Sequence, residues 1–90
     1  MEIIRRNYTF YGSVQGVGFR YRAYYAAREF SITGWVKNEY DGSVVMEVQG
    51  TRENIESMLK RIQSGRFVSI DNCLCRSLPT QTESTFEIIG

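Results

Sequence analysis

The spacing of apolar residues along this chain changes between the strand period of two and the helix period near 3.6, and the order of these changes limits the possible folds. Residues 3–12 alternate in polarity and place Tyr8 and Phe10 on one face, which predicts a strand with an aromatic side. Residues 21–30 instead predict a helix. Their small and apolar side chains recur at helical spacing, at Ala23, Ala26, Ala27 and Phe30.

The second half of the chain repeats this order with one strand added. Two predicted strands, Trp35–Asn38 and Ser43–Gln49, flank an Asp-Gly pair that is typical of a hairpin turn. Thr51 can cap a second helix, and Gly65 can end it. The apolar stripe of that helix consists of Ile55, Met58, Leu59 and Ile62. Residues 67–77 predict a fourth strand, and residues 85–89 a short fifth.

This order indicates an α+β fold of the split βαβ type (βαββαβ), in which two helices cover one face of an antiparallel sheet of four to five strands. Ninety residues are enough for one domain, 1–90. A net charge of +1 argues against a nucleic-acid partner. Because we find neither a signal-peptide pattern nor an apolar run of about 20 residues, we expect a cytoplasmic monomer without a membrane partner.

The segment between the first strand and the first helix departs from the usual rules for a helix start. Residues 12–20 read G-S-V-Q-G-V-G-F-R, and the first predicted turn carries Arg20 and Arg22 but no acidic residue and no Ser, Thr or Asn cap. Cations are unfavourable at the positive end of a helix dipole. An anion bound by the loop amides and by an arginine would remove this conflict. We therefore predict an anion-binding cradle, which right-handed crossover connections place opposite Trp35–Asn38.

Two motifs together carry a resemblance to a known family. The run 12–20 resembles the first signature of the acylphosphatases, and Gly34-Trp35-Val36-Lys37-Asn38, continuing through Gly42 and Val44 to Gly50, resembles the second. The resemblance covers residues 1–62. It implies a ferredoxin-like sandwich that hydrolyses acyl phosphates to a carboxylate and inorganic phosphate without a metal or other cofactor.

The resemblance also implies roles for single residues. Arg20 corresponds to the phosphate-binding arginine, and Asn38 to the asparagine that positions the attacking water. The phosphate-binding loop corresponds to the backbone of Gln15, Gly16, Val17, Gly18 and Phe19. Glu39 departs from the family pattern, since many members have a small hydroxyl residue there, and its charge is expected to weaken substrate binding or lower the rate. Residues 65–66 are Gly-Arg in this sequence, whereas members of the family frequently have Gly-Pro at this position.

The residue types favour the same chemistry independently of the resemblance. The chain contains no histidine, which removes Ser-His and Cys-His nucleophilic sites. An arginine, a carboxamide and backbone amides suit a substrate whose leaving group needs no proton. A carboxylate leaving an acyl phosphate is such a group, because the pKa of its conjugate acid is about 4–5.

Two other functions stay open at this point. The cradle can belong to a regulatory module that binds phosphate without turnover, or the chain can be the acylphosphatase-like segment of a larger maturation protein that handles carbamoyl phosphate.

Cys73 and Cys75 are interpreted as free thiols, one of them buried, because neighbours two residues apart are rarely bridged and two thiolates are too few for a zinc site. Tyr11 and Tyr25 are candidates for lining a pocket.

Overall fold

The computed structural model describes residues 1–90, which form five strands and two helices in the predicted order. The elements are β1 (Ile3–Ser13), α1 (Phe19–Glu29), β2 (Thr33–Asn38), β3 (Val44–Thr51), α2 (Arg52–Gln63), β4 (Ser69–Leu78) and β5 (Phe86–Ile88). Neither helix has the length and apolar character that a membrane-crossing helix needs.

The five strands form one sheet in the order β4-β1-β3-β2-β5. β1 lies between β3 and β4 and is antiparallel to both, and β2 and β3 form the expected hairpin. The prediction of an antiparallel sheet needs one correction, because β5 runs parallel to β2. The chain leaves β4 at one edge, crosses the sheet through residues 79–85, and enters the opposite edge in the direction of β2. The sheet is therefore mixed.

The core lies between the sheet and the two helices. Tyr8 and Phe10 of β1 are buried there and stack at a centroid distance of 5.6 Å, as the alternation in β1 predicted. The other buried apolar residues are Val14, Phe19, Ala23, Ala26, Ala27, Ile32, Val36, Val44, Met46, Val48, Ile55, Met58, Ile62 and Phe86.

Cys73 and Cys75 are both free and both exposed, so the expectation that one is buried was wrong. Both lie on the edge strand β4, beyond the cover of the helices.

A buried ion-pair network lies on the opposite face of the sheet. Arg5 is only 1% exposed and donates to Glu47 Oε2 from both Nε (2.9 Å) and Nη2 (2.7 Å). Its Nη1 contacts Glu83 of the crossover segment, and Gln49 exchanges two hydrogen bonds with the backbone of Gln81. These contacts hold residues 79–85 against the sheet. They thereby determine where β5 and the residues after it lie.

Candidate active site

A small cavity of about 200 Å³ lies where the loop after β1 meets the end of β2. Its lining residues come from both sequence motifs: Val14, Gly16, Gly18, Phe19, Arg20, Tyr21 and Asn38. The predicted juxtaposition of the glycine-rich loop with Trp35–Asn38 is therefore confirmed. We call the loop from Gln15 to Phe19, together with Arg20, the cradle.

The loop of the cradle exposes its backbone amides. Gly16 and Gly18 have positive φ values of 72° and 81°, and no protein atom lies within 4 Å of where a Cβ would stand on either residue. Left-handed backbone at these positions favours glycine. The amides from Gln15 to Gly18 donate no hydrogen bond within the protein. The first-turn amides of α1 lack intrahelical acceptors by geometry. The loop therefore offers a cluster of free donors.

The two helices of the chain begin in opposite ways. At the start of α2, Thr51 Oγ1 accepts a hydrogen bond from Asn54 N at 3.1 Å, and Glu53 supplies a negative charge in the first turn. The start of α1 has neither feature, because its cap residue is Gly18, with no side-chain hydrogen bond and no acidic residue in the first turn. An anion would satisfy the first turn of α1 through its free amides and its positive dipole end.

Asn38 ends β2 and points to the helix side of the sheet, like Val36 two residues before it. Its side-chain oxygen Oδ1 is buried and accepts no hydrogen bond from the protein. A buried polar atom without a partner costs free energy, about 1–3 kcal/mol. Such an atom at the wall of a cavity that Arg20 also lines is suited to accept a hydrogen bond from a water molecule or a ligand.

Arg20 lies in the first turn of α1, half-buried at the rim of the same cavity. Its Nη1 donates to the carbonyl oxygen of Gly90 at 2.9 Å. No other donor of this guanidinium bonds within the protein, so it has N–H groups free for a ligand. The contact with Gly90 fixes the position of Nη1 of the guanidinium. This contact depends on β5, and hence on the crossover held by Arg5.

The side chain of Gln15 joins the two halves of the site. Its Nε2 donates to the carbonyl oxygens of Glu39 at 2.7 Å and Ser43 at 2.9 Å, which belong to the turn directly after Asn38. Asp41 shapes this turn by accepting hydrogen bonds from Ser43 N (2.9 Å) and Ser43 Oγ (2.6 Å), which lower the pKa of the Asp41 carboxyl. The sequence motif predicted a role only for the backbone of Gln15, and this role of its side chain was not predicted.

Comparison with known proteins identifies the family of this chain. The family profile described as acylphosphatase matches residues 6–88, well past residue 62, where the resemblance carried by the two motifs ended. The chain belongs to the acylphosphatase family. An acylphosphatase from Oceanobacillus iheyensis is 44% identical over 80 residues, which cover 86% of this chain and 88% of that protein. Members of the family hydrolyse acyl phosphates, and this is the activity that the family membership gives to the present chain.

Solved structures show the same fold. The crystal structure of acylphosphatase from Bacillus subtilis matches with a TM-score of 0.86 and 27% identity, over 97% of this chain and 99% of that one. A structure of full-length HypF in a phosphate- and nucleotide-bound form matches with a TM-score of 0.85 and 27% identity, over 99% of this chain but only 12% of that one. The ferredoxin-like sandwich implied by the sequence is therefore confirmed.

Two charged side chains near the small cavity already have partners within the protein. Glu39 does not line the cavity, and its Oε1 lies 3.3 Å from Lys37 Nζ. Arg22, the second cation in the first turn of α1, turns away towards α2. There its Nη2 donates to the carbonyl oxygen of Arg61 (2.8 Å) and to Ser64 Oγ (3.0 Å), at the C-terminus of α2. Of the two arginines in this turn, only Arg20 lines the small cavity beside Asn38.

Proposed function

We propose that the cradle binds the phosphoryl group of the substrate, and that Asn38 orients the water that attacks it. The free loop amides and the guanidinium of Arg20 would surround the phosphoryl oxygens, with Arg20 as their only cationic contact. The single observation that carries this proposal is the buried, unpartnered Asn38 Oδ1 at the wall of a cavity that Arg20 also lines.

The proposed mechanism uses position and charge rather than proton transfer from a side chain. Asn38 cannot take a proton at neutral pH, so its oxygen only accepts a hydrogen bond from the water and aims the water at phosphorus. A phosphate oxygen of the substrate takes the proton of the attacking water. The P–O bond to the acyl group breaks and the carboxylate leaves as an anion.

Negative charge on the phosphoryl oxygens is stabilised in the transition state by donors fixed before the reaction. Donors held in this way at a partly desolvated site contribute more than the same groups in water. A phosphate monoester would react poorly, because its alkoxide leaving group needs an acid or a metal ion. The reaction proposed here needs neither. A cytoplasmic location and a monomeric state stay predictions from the sequence.

The test compares two substrates that carry the same ring. Benzoyl phosphate and phenyl phosphate are each incubated with the protein, with and without EDTA, and phosphate release is measured. We expect rapid release from benzoyl phosphate that EDTA does not change, and no release from phenyl phosphate. Phosphate binding without turnover of benzoyl phosphate would support the regulatory module instead. Loss of activity in EDTA would contradict the metal-free mechanism.

A further inference from the structure

A second and larger cavity of about 460 Å³ adjoins the cradle along helix α1. We call it the tyrosine groove. It is lined by Val17, Gly18, Tyr21, Arg22, Tyr25, Ala26, Glu29 and Arg61. Gly18 and Tyr21 also line the small cavity, so the two spaces share a wall. Nothing in the proposed chemistry at phosphorus uses this groove.

The two tyrosine rings of the groove are largely exposed, and the edge-on contact of Tyr25 with Tyr24, at a centroid distance of 5.5 Å, covers little of the Tyr25 ring. Tyr21 and Tyr25 are one helical turn apart and lie on the same face of α1, with exposed fractions of 62% and 66%. Large apolar side chains usually lose much more of their surface on folding. Two such rings beside a catalytic cavity form a surface on which a planar group can stack.

Displacement at phosphorus requires the leaving group to lie opposite the attacking water. If Asn38 holds that water, the acyl group must point away from Asn38. Asn38 lines the small cavity but not the tyrosine groove, whereas Gly18 and Tyr21 line both. An acyl group directed away from Asn38 and across Gly18 would therefore enter the groove.

The charged side chains that line the tyrosine groove already have partners within the protein. Nη2 of Arg22 is taken up by Arg61 O and Ser64 Oγ. The other cation, Arg61, donates from Nη1 to Glu29. Arg61 thus already has a carboxylate partner, and Arg22 is held at the C-terminus of α2 with its Nε buried. The tyrosine rings and Val17 supply the free contact surface.

We infer that the tyrosine groove is the acyl-group subsite, and that Tyr25 makes the enzyme prefer aromatic acyl phosphates over small aliphatic ones. This inference rests on the proposed function, because it takes the position of the water from Asn38. Tyr25 is the residue to test because it lines only the tyrosine groove, whereas Tyr21 lines both the groove and the small cavity.

The experiment measures kcat/KM for benzoyl phosphate and for acetyl phosphate in the wild type and three variants. Stacking between aromatic rings is worth enough to change the ratio of the two values by about 3- to 10-fold. We expect Tyr25→Ala to lower the benzoyl-to-acetyl ratio by this factor, mainly through KM for benzoyl phosphate. Tyr25→Phe keeps the ring and should keep the ratio. Phe67→Ala removes a comparably exposed ring, one that lines neither cavity, and should also keep it.

The outcomes separate the two proposals. If the wild type hydrolyses both substrates and Tyr25→Ala leaves the ratio unchanged, the acyl subsite is overturned while the proposed function stands. A fall in the ratio for Phe67→Ala as large as that for Tyr25→Ala would also overturn it. If the wild type hydrolyses neither substrate, the proposed function itself fails. Because Tyr25 is an exposed helix position where alanine is well tolerated, we expect the variant to fold, which circular dichroism checks.

Discussion

Gln15 in the loop after β1 is hydrogen-bonded through its side chain to the backbone of Glu39, twenty-four residues later, at 2.7 Å. The same amide nitrogen reaches Ser43 O at 2.9 Å. One side chain thus fixes the distance between the amides proposed to bind phosphate and the asparagine proposed to aim the water. A precise relative position of these two groups matters because a misplacement of about 1 Å can cost about 100-fold in rate.

Replacing Gln15 by Leu should therefore impair turnover more than binding. The variant keeps the loop backbone but removes the donor for Glu39 O and Ser43 O. We expect kcat for benzoyl phosphate to fall about 10-fold or more, on the scale of the two lost hydrogen bonds, with a small change in the inhibition constant of inorganic phosphate. Gln63→Leu, at an exposed position of α2, is the matched control. Equal kinetics for the wild type and Gln15→Leu would show that the link is dispensable.

Replacing Arg20 by Ala should abolish both phosphate affinity and turnover. Arg20 is the only cation that lines the small cavity, and loss of a key transition-state donor typically costs about 100- to 1,000-fold. The measurements are kcat/KM for benzoyl phosphate and competitive inhibition by phosphate. Arg28→Ala removes a cation from the last turn of the same helix and should change neither value. Tight phosphate inhibition of Arg20→Ala would argue against the assigned role.

Arg22, two residues further on, should matter for stability rather than for phosphate binding. It caps the C-terminus of α2 through Arg61 O and Ser64 Oγ, where a cation also meets the negative end of the helix dipole. We expect Arg22→Ala to lower the free energy of unfolding by about 1–2 kcal/mol, measured by urea denaturation. Arg52→Ala, at the exposed start of α2, should cost less. An Arg22→Ala variant as stable as the wild type would contradict the capping role.

The buried pair of Arg5 and Glu47 should make stability depend on pH in the acid range. Burial raises the pKa of Glu47, but hydrogen bonds from Asn7 and Arg5 outweigh burial and bring the pKa below its ordinary value of 4.5. The folded state therefore binds the proton less tightly than the unfolded state. The stabilisation is present above pH 4.5 and is lost as pH falls through the folded-state pKa.

The variant Glu47→Gln tests this relation. At pH 7 we expect it to be less stable than the wild type by about 1.5–3 kcal/mol, the range for hydrogen bonds to charged groups. This difference should shrink as pH falls below 4.5, because Glu47 of the unfolded chain then binds a proton, and the folded carboxylate does so only as pH falls through its own lower pKa. Thermal denaturation at a series of pH values measures it. Glu87→Gln, an exposed position of β5, should show no such trend, and a pH-independent difference for Glu47→Gln would contradict the linkage.

The sequence was informative where local chemistry decides the structure. The spacing of apolar residues and the turn residues were sufficient to predict the strands and helices. The unusual start of α1 indicated the candidate anion-binding cradle. The helix begins at Phe19, two residues before the predicted start, because Gly18 rather than a polar residue is its cap. The parallel pairing of β5 with β2 was not predicted, since the path of residues 79–85 depends on Arg5 and Glu83, which are 78 positions apart. Arg5 lies on the face of β1 opposite Tyr8 and Phe10, and nothing in the local sequence shows that Glu47 and Glu83 contact it there.

The role of Asn38 is tested by measuring turnover and phosphate binding in the same preparation of Asn38→Ala, with Asn72→Ala on the exposed edge strand as control. We expect kcat for benzoyl phosphate to fall at least about 100-fold while the inhibition constant of phosphate stays at the wild-type value. Hydrolysis of benzoyl phosphate at the wild-type rate by Asn38→Ala would contradict this role.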